Sequence, residues 1–143
     1  MKFISATSIQ LNTFYKANND KARAKPGDLM FAALDEHDQL CAVLRFLPYS
    51  NFLFLRSVFT QHSARGQGIA SKLIQFSIND LACSLHNNET ITIYTLPTPK
   101  AQSLYLRIGF HQISQPKIPN ELSASYRRFR HTNSESGVMV LHI

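Results

Sequence analysis

Apolar and polar positions change period several times along this chain, and each change marks an element. Lys2 to Ala6 reads as a short first strand. Ser8 offers an N-cap for a helix carrying Ile9, Leu11, Phe14 and Tyr15, and Asn18-Asn19-Asp20 weakens its end. Asp28 to Leu34 and Gln39 to Leu47 are apolar runs around Asp35-Glu36-His37-Asp38, which predicts an antiparallel hairpin with a solvated acidic turn. Pro48 to Asn51 turns the chain. Phe52 to Thr60 is so continuously apolar that it reads as a central strand covered on both faces.

From Gly68 the period becomes helical, with Ala70, Leu73, Ile74, Ile78, Leu81, Ala82 and Leu85 at three- and four-residue steps until Asn87-Asn88. Thr90 to Leu96, rich in β-branched residues, is the next strand, and Pro97 and Pro99 stop it. Thr98 can cap a helix from Lys100 to Ile108 with Pro99 at its first position and Gly109 as the left-handed closing residue. A strand from Phe110 to Ser114, a loop from Pro116 to Asn120 and a short helix from Glu121 to Phe129 follow. A polar connection from His131 to Gly137 then leads to a final strand, Val138 to Ile143. A hairpin first and a helical crossover later predict an α/β fold with a mixed sheet.

Bulk properties narrow the class. The 143 residues suit one domain over 1–143, able to bury roughly two-thirds of its unfolded surface without a covalent staple. Cys41 and Cys83 both fall among apolar residues and read as small buried side chains rather than a disulfide or metal pair. That fits a reducing cytoplasm. Ser5, Thr7, Ser8, Gln10 and Asn12 interrupt any apolar run near Met1, which argues against a signal peptide or membrane span. The formal charge of +6 favours a polyanionic partner, and a cofactor with several phosphates accounts for it without nucleic acid. The clusters Lys21, Arg23, Lys25 and Arg127, Arg128, Arg130 read as solvated basic surface. His37, His86, His111, His131 and His142 lack ligand spacing, so no metal is expected.

The segment Arg65-Gly66-Gln67-Gly68-Ile69-Ala70 lies where the apolar strand meets the amphipathic helix. Two glycines let the backbone approach a ligand, and the first helical amides have no partner within the helix. Such an end favours an anion, a pyrophosphate above all. It is neither of the two better-known phosphate loops. The third glycine of a dinucleotide fingerprint is replaced by Ser71, and Lys72 follows Ser71 inside the helix rather than a glycine.

Arg-x-x-Gly-x-Ala resembles the acyl-CoA pyrophosphate loop of the GNAT superfamily of N-acyltransferases. Two further segments agree in order. Ala101 to Phe110 is similar to that family's A-x-x-L-Y-x-x-x-G-F stretch, and Val58 to Arg65 to its approach to the loop. The resemblance implies a mostly antiparallel sheet, flanked by helices, whose two central parallel strands splay to admit acetyl-CoA as co-substrate. It implies that Arg65, Gly66, Gln67, Gly68, Ile69, Ala70 and Ser71 hold the pyrophosphate, and that Val58, Phe59 and Thr60 hold pantetheine. The Val58 amide then faces the thioester carbonyl, Tyr105 donates to the departing sulfur, and Thr98 stands where the family often has asparagine. The family commonly has two helices between its first strands, but here Thr7 to Gly27 has room for one, which leaves a more open site.

The acceptor is unnamed by any motif: an amine on a small molecule, protein or peptide, with nucleic acid and membrane not expected and a homodimer allowed. Many members carry a glutamate on the central strand as base, whereas this chain has Phe54-Leu55-Arg56-Ser57. A lysine-like amine is only about 0.1% neutral near pH 7.5, a handicap of roughly 4 kcal/mol, while an α-amine forfeits a few tenths. A low-pKa amine, or a base acting through water with His62, Glu121 or Tyr94 as relay, is therefore the expectation. Two competing readings are a non-catalytic acyl-CoA-binding regulator and an enzyme acetylating aminoacyl-tRNA or peptide α-amines.

Overall fold

The computed structural model describes residues 1–133 and 137–143. One seven-stranded sheet organises it, in the order β1-β2-β3-β4-β5-β7-β6. The strands are β1 (Lys2–Ser5), β2 (Leu29–Leu34), β3 (Leu40–Pro48), β4 (Leu53–Thr60), β5 (Thr92–Thr95), β6 (His111–Gln112) and β7 (Met139–His142). All neighbouring pairs are antiparallel except β4 and β5, which run parallel. The expected mixed, mostly antiparallel α/β sheet is what forms.

Among the described residues four α-helices flank it: α1 (Ser8–Ala17), α2 (Ile69–Cys83), α3 (Gln102–Ile108) and α4 (Ser123–Thr132). The cap of α1 is Thr7, not Ser8. Its hydroxyl accepts from the Gln10 amide at 3.2 Å while the Gln10 side chain accepts from the Thr7 amide at 2.9 Å. This reciprocal box satisfies two orphan donors, which a serine one residue later cannot do. Leu11, Phe14 and Tyr15 are buried, but Ile9 faces solvent. A single helix does connect β1 to β2.

The α2 helix packs Ile69, Leu73, Ile74, Ile78 and Leu81 against Phe31, Leu44, Phe46 and Leu55 on one sheet face. At roughly 1.5–3 kcal/mol per buried side chain, this cluster is the main store of stability. The helix stops at Cys83, short of Asn87, where the Ser84 hydroxyl bonds the Leu81 carbonyl at 2.8 Å. Ala82 is exposed and so is Cys83, so the expectation of two buried cysteines holds for Cys41 alone. The sequence beside Cys83 is apolar, yet its position on α2 points away from the sheet.

The opposite face carries two smaller clusters. Leu11, Phe14 and Tyr15 of α1 pack with Ala24, Ala32 and Val43, and Leu122, in the segment leading into α4, packs with Phe52 and Phe54. That segment is a 3-10 turn, Asn120–Leu122, that passes into α4 and extends to Thr132, past the predicted end at Phe129. The strand expected from Phe110 to Ser114 shrinks to β6, because Phe110 turns into the core. Asp35 of the hairpin turn is more than a solvated charge. It accepts from the His37 and Gln39 amides at 2.8 and 3.0 Å, bonds that hold its carboxyl below the usual carboxylate range, Gln39 contributing most. The expected connection from His131 to Gly137 lies partly outside the described residues.

Candidate active site

The central strands part because their pairing is short. β4 and β5 are in register from Leu53 opposite Ile93 to Leu55 opposite Thr95, and there the ladder ends. Leu96-Pro97 follows β5, and proline has no amide to extend a ladder. β4 runs on to Thr60, so its edge from Arg56 to Thr60 has no β5 partner. The expectation of full cover on both faces fails here, since β4 is buried at Phe54 and Leu55 but not beyond.

Between the diverging strands lies a cleft of about 1180 Å³. That exceeds the usual span of small-molecule sites, roughly 300–1,000 Å³, and leaves room for two reactants. Val58, Phe59, Thr60, Arg65, Gly66, Gly68, Ile69, Ala70, Ser71, Thr98 and Tyr105 all line it, while Gln67 does not. A second hollow of about 880 Å³ lies along Gln115 to His131 and touches none of them.

At one end of the cleft stands the glycine loop. Gly66 and Gly68 have φ of +80° and +75°, and a Cβ at either would meet nothing within 4 Å. Glycine is needed there for the left-handed backbone, and the open space beside it is available to a ligand. Lys72 donates the first bond of α2, to the Gly68 carbonyl at 3.2 Å, so the preceding amides are without helical partners. Gly66, Gln67 and Gly68 are exposed. Arg65 is folded back on the strand. Its Nε donates to the Thr60 carbonyl at 2.9 Å, and its guanidinium lies 5.4 Å from the Phe59 ring centre.

Tyr105 enters the middle of the cleft from α3. A 3-10 turn, Pro99–Ala101, precedes that helix, and Thr98 stands at its cap position without a side-chain bond. Thr98 does not cap as expected; its carbonyl accepts from the Ala101 amide at 2.9 Å instead. At the other end Gly109, with φ +121°, lets the Gly109 and Phe110 amides both bond the Tyr105 carbonyl. This turn seats Phe110 edge-on against Tyr105, ring centres 5.3 Å apart. The spacing of tyrosine, glycine and phenylalanine is thus a device for fixing the Tyr105 ring. Burial pushes its phenol up to about 12, with the Thr95 hydroxyl acting in the opposite direction.

A bulge interrupts β4 beside Tyr105. Val43 faces Phe59 but Arg45 faces Arg56, so Ser57 and Val58 stand opposite Leu44 alone. Ser57 takes φ +56°, unfavourable for a residue with a side chain. Tyr15 donates to the Ser57 carbonyl at 2.7 Å and holds that peptide unit. The unit is planar and trans, so the Val58 N–H points away from Tyr15. Arg45, 6% exposed, lies beside it, bonding Asp28 at 2.9 Å and the Ser57 hydroxyl at 3.4 Å. Burial raises the Tyr15 phenol to about 12, and the Arg45 charge opposes that shift.

Sequence reasoning missed Tyr15, Asp28, Arg45 and Ser57. The one available signal was a lone arginine in the apolar run Cys41 to Leu47. Among the expected relays, His62, Glu121 and Tyr94 line no part of the cleft, and no aspartate, glutamate or histidine does among the described residues.

Residues 26–112 match the family model described as Acetyltransferase (GNAT) domain. The chain belongs to the GNAT acetyltransferase family. Solved structures share its fold at low identity. An acetyltransferase of the family from Staphylococcus aureus Mu50 is 15% identical with a TM-score of 0.63, covering 99% of this chain and 98% of its own. GCN5 from Tetrahymena is 13% identical with a TM-score of 0.67, over 100% and 96%. A phosphinothricin acetyltransferase from Sinorhizobium meliloti, solved with AcCoA, is 11% identical with a TM-score of 0.66, over 99% and 88%. No curated protein matches the chain in sequence. Among the described residues no group of metal-ligating side chains occurs, and no helix is long and apolar enough to cross a membrane.

Proposed function

We propose that this GNAT domain is an acetyl-CoA-dependent N-acetyltransferase that moves the acetyl group directly to an amine. The observation that carries the reading is the continuity of the cleft, which runs from the exposed glycine loop, along the bare β4 edge, to Tyr105. Amides from Gly66 to Ser71 suit a pyrophosphate, and the β4 edge suits the amide-bearing pantetheine arm. The Val58 N–H, oriented by Tyr15, suits the oxygen on which negative charge develops as the amine attacks the thioester carbonyl. The C–S bond then breaks, the departing sulfur takes the Tyr105 proton, and the proton that the nitrogen loses in becoming an amide passes through water to restore the phenol.

Tyr105 supports the donation to sulfur. Its phenol is protonated throughout the neutral range, so it is always able to donate. Transfer to an ordinary thiolate, with pKa near ~8.5, would be uphill by several kcal/mol. The same burial that raises the phenol also raises a thiolate beside it, which narrows that gap. Cys41 is buried in the main core and Cys83 is exposed on α2, and neither lines the cleft, which favours direct transfer over an acyl-cysteine. Free thiols also suit a reducing cytoplasm.

Tyr105→Phe is expected to lower kcat ~10²-fold with little change in acetyl-CoA affinity, general-acid contributions being of that size. Unchanged turnover removes the tyrosine from the reaction. The lack of an acid on the cleft wall among the described residues favours a second reading, a regulator that binds acyl-CoA without turnover. Calorimetric binding of acetyl-CoA with no thiol release across an amine panel would select it.

A further inference from the structure

The far end of the cleft from the glycine loop is cationic. Arg45 and Arg56 are direct cross-strand partners and so share a sheet face. On that face they lie between the cluster under α1, which includes Val43, and the cluster under Leu122, which includes Phe54. Arg45 is spoken for by Asp28, both side chains 8% exposed. Arg56 and Arg128 line the cleft, together with Ser125 and Phe129 of α4, and among the described residues neither arginine has an ion-pair partner. The Phe54 ring lies 5.8 Å beneath the Arg56 guanidinium and steadies it. Loss of surrounding water, then the Arg45 and Arg128 charges, pull the Arg56 ionisation below its ordinary value, although it stays charged. Two like charges held together beside an open cleft await an anion.

The phosphates of coenzyme A are poorly placed to be that anion. The loop that suits them begins beyond Thr60, and Arg56 lies four strand positions earlier, about 13 Å along an extended chain. Arg56 also precedes Val58, where the thioester would sit, so the guanidiniums flank the space open to the acceptor.

We propose that Arg56 and Arg128 form an anion subsite for the acceptor, so that the amine acetylated carries an anionic group, a carboxylate or a phosphate, on the same small molecule. The inference rests on the acetyltransferase reading above. Bidentate guanidinium contacts orient such a molecule with its amine towards Val58 and Tyr105. They also discriminate against neutral and polycationic amines, which leave the two charges unpaired. Arg45, occupied by Asp28, is a positioning residue for the bulge.

The test is thiol release from acetyl-CoA with amino acids, their amides and phosphoethanolamine, using the full chain and its Arg56→Gln and Arg128→Gln variants. Amino acids, or phosphoethanolamine if the anion is phosphate, are expected to exceed the amides in kcat/KM by tenfold or more. Each variant is expected to reduce that preference at least tenfold, mainly through KM, and Arg128→Lys to restore part of it. The acetyl-CoA melting shift should persist in all of them. Equal use of acids and amides, a preference untouched by either variant, or no turnover of any anionic amine by a protein that binds acetyl-CoA overturns the subsite and leaves the coenzyme reading standing. Loss of the acetyl-CoA melting shift in the unsubstituted protein overturns both.

Discussion

Ser57 is a strained residue held by two side chains from elsewhere in the chain. Tyr15 grips its carbonyl and Arg45 its hydroxyl, at 2.7 and 3.4 Å. A left-handed φ costs a residue with a Cβ roughly 1–2 kcal/mol, and one hydrogen bond returns about 1. Removing the Tyr15 hydroxyl should therefore loosen the bulge without unfolding the protein. Tyr15→Phe is expected to lower kcat about tenfold with an unchanged acetyl-CoA dissociation constant, a split that separates aim from binding. The Asp28 to Arg45 pair has a harsher consequence. Among the described residues Arg45 Nε already lacks a bonding partner, and Asp28→Ala would leave a buried guanidinium charge without its carboxylate. Breaking such a pair costs about 3–5 kcal/mol, so the melting temperature should fall on the order of 10 °C in a thermal scan.

At the scale of elements, the loop between β4 and α2 depends on backbone more than on side chains. Nothing stands near a Cβ at Gly68, so an alanine there would not clash. It would instead be forced to φ +75° or would move the loop. Gly68→Ala is expected to cost about 1 kcal/mol of stability and to weaken acetyl-CoA binding tenfold or more by calorimetry. A stability loss with undiminished affinity would show that the amides of this loop do not hold the coenzyme. The glycine after α3 acts differently. Gly109 turns Phe110 onto Tyr105, and its Cβ position lies 3.4 Å from Leu141. Gly109 was legible as left-handed because such a residue at a helix C-terminus is a local requirement, whereas Gly68 was legible only as a place where backbone meets a ligand, and its φ of +75° is set by the loop. The end of α2 was not legible, because its last turn is decided by whether the sheet beneath it continues. Thr98 looked like a cap for a similar reason: its neighbours suit a helix start, but the chain enters a 3-10 turn whose first donor its carbonyl satisfies.

The whole molecule joins these parts by letting one sheet come apart. Two phenols, Tyr15 and Tyr105, are buried in clusters on opposite faces of that sheet, and both are pushed up to about 12. Between pH 10 and 12 the unfolded chain releases those protons while the folded chain keeps them. The folded form then binds more protons, and stability falls as pH rises. The contribution is whole below pH 10 and, for a phenol pushed up to about 12, is of the order of a few kcal/mol. Melting temperature should drop steeply across that window, and less steeply in a protein carrying both Tyr15→Phe and Tyr105→Phe. The formal charge of +6 includes two basic clusters that read as solvated surface in the sequence. Folding brings Arg128 of one cluster to the cleft that Arg56 of β4 also lines, close enough for its charge to act on Arg56.

By itself the sequence determined the features that arise within a few residues: the periods of α1 and α2, the hairpin of β2 and β3, the left-handed glycine after α3 and the anion-ready start of α2. Steric limits on φ and the spacing of apolar side chains act at that range. Only the tertiary structure decided the features whose partners are far apart in the chain. Tyr15 reaches Ser57, Asp28 reaches Arg45, and Arg128 joins Arg56, because the cross-strand register sets those pairs and each strand's periodicity says nothing of its neighbour's.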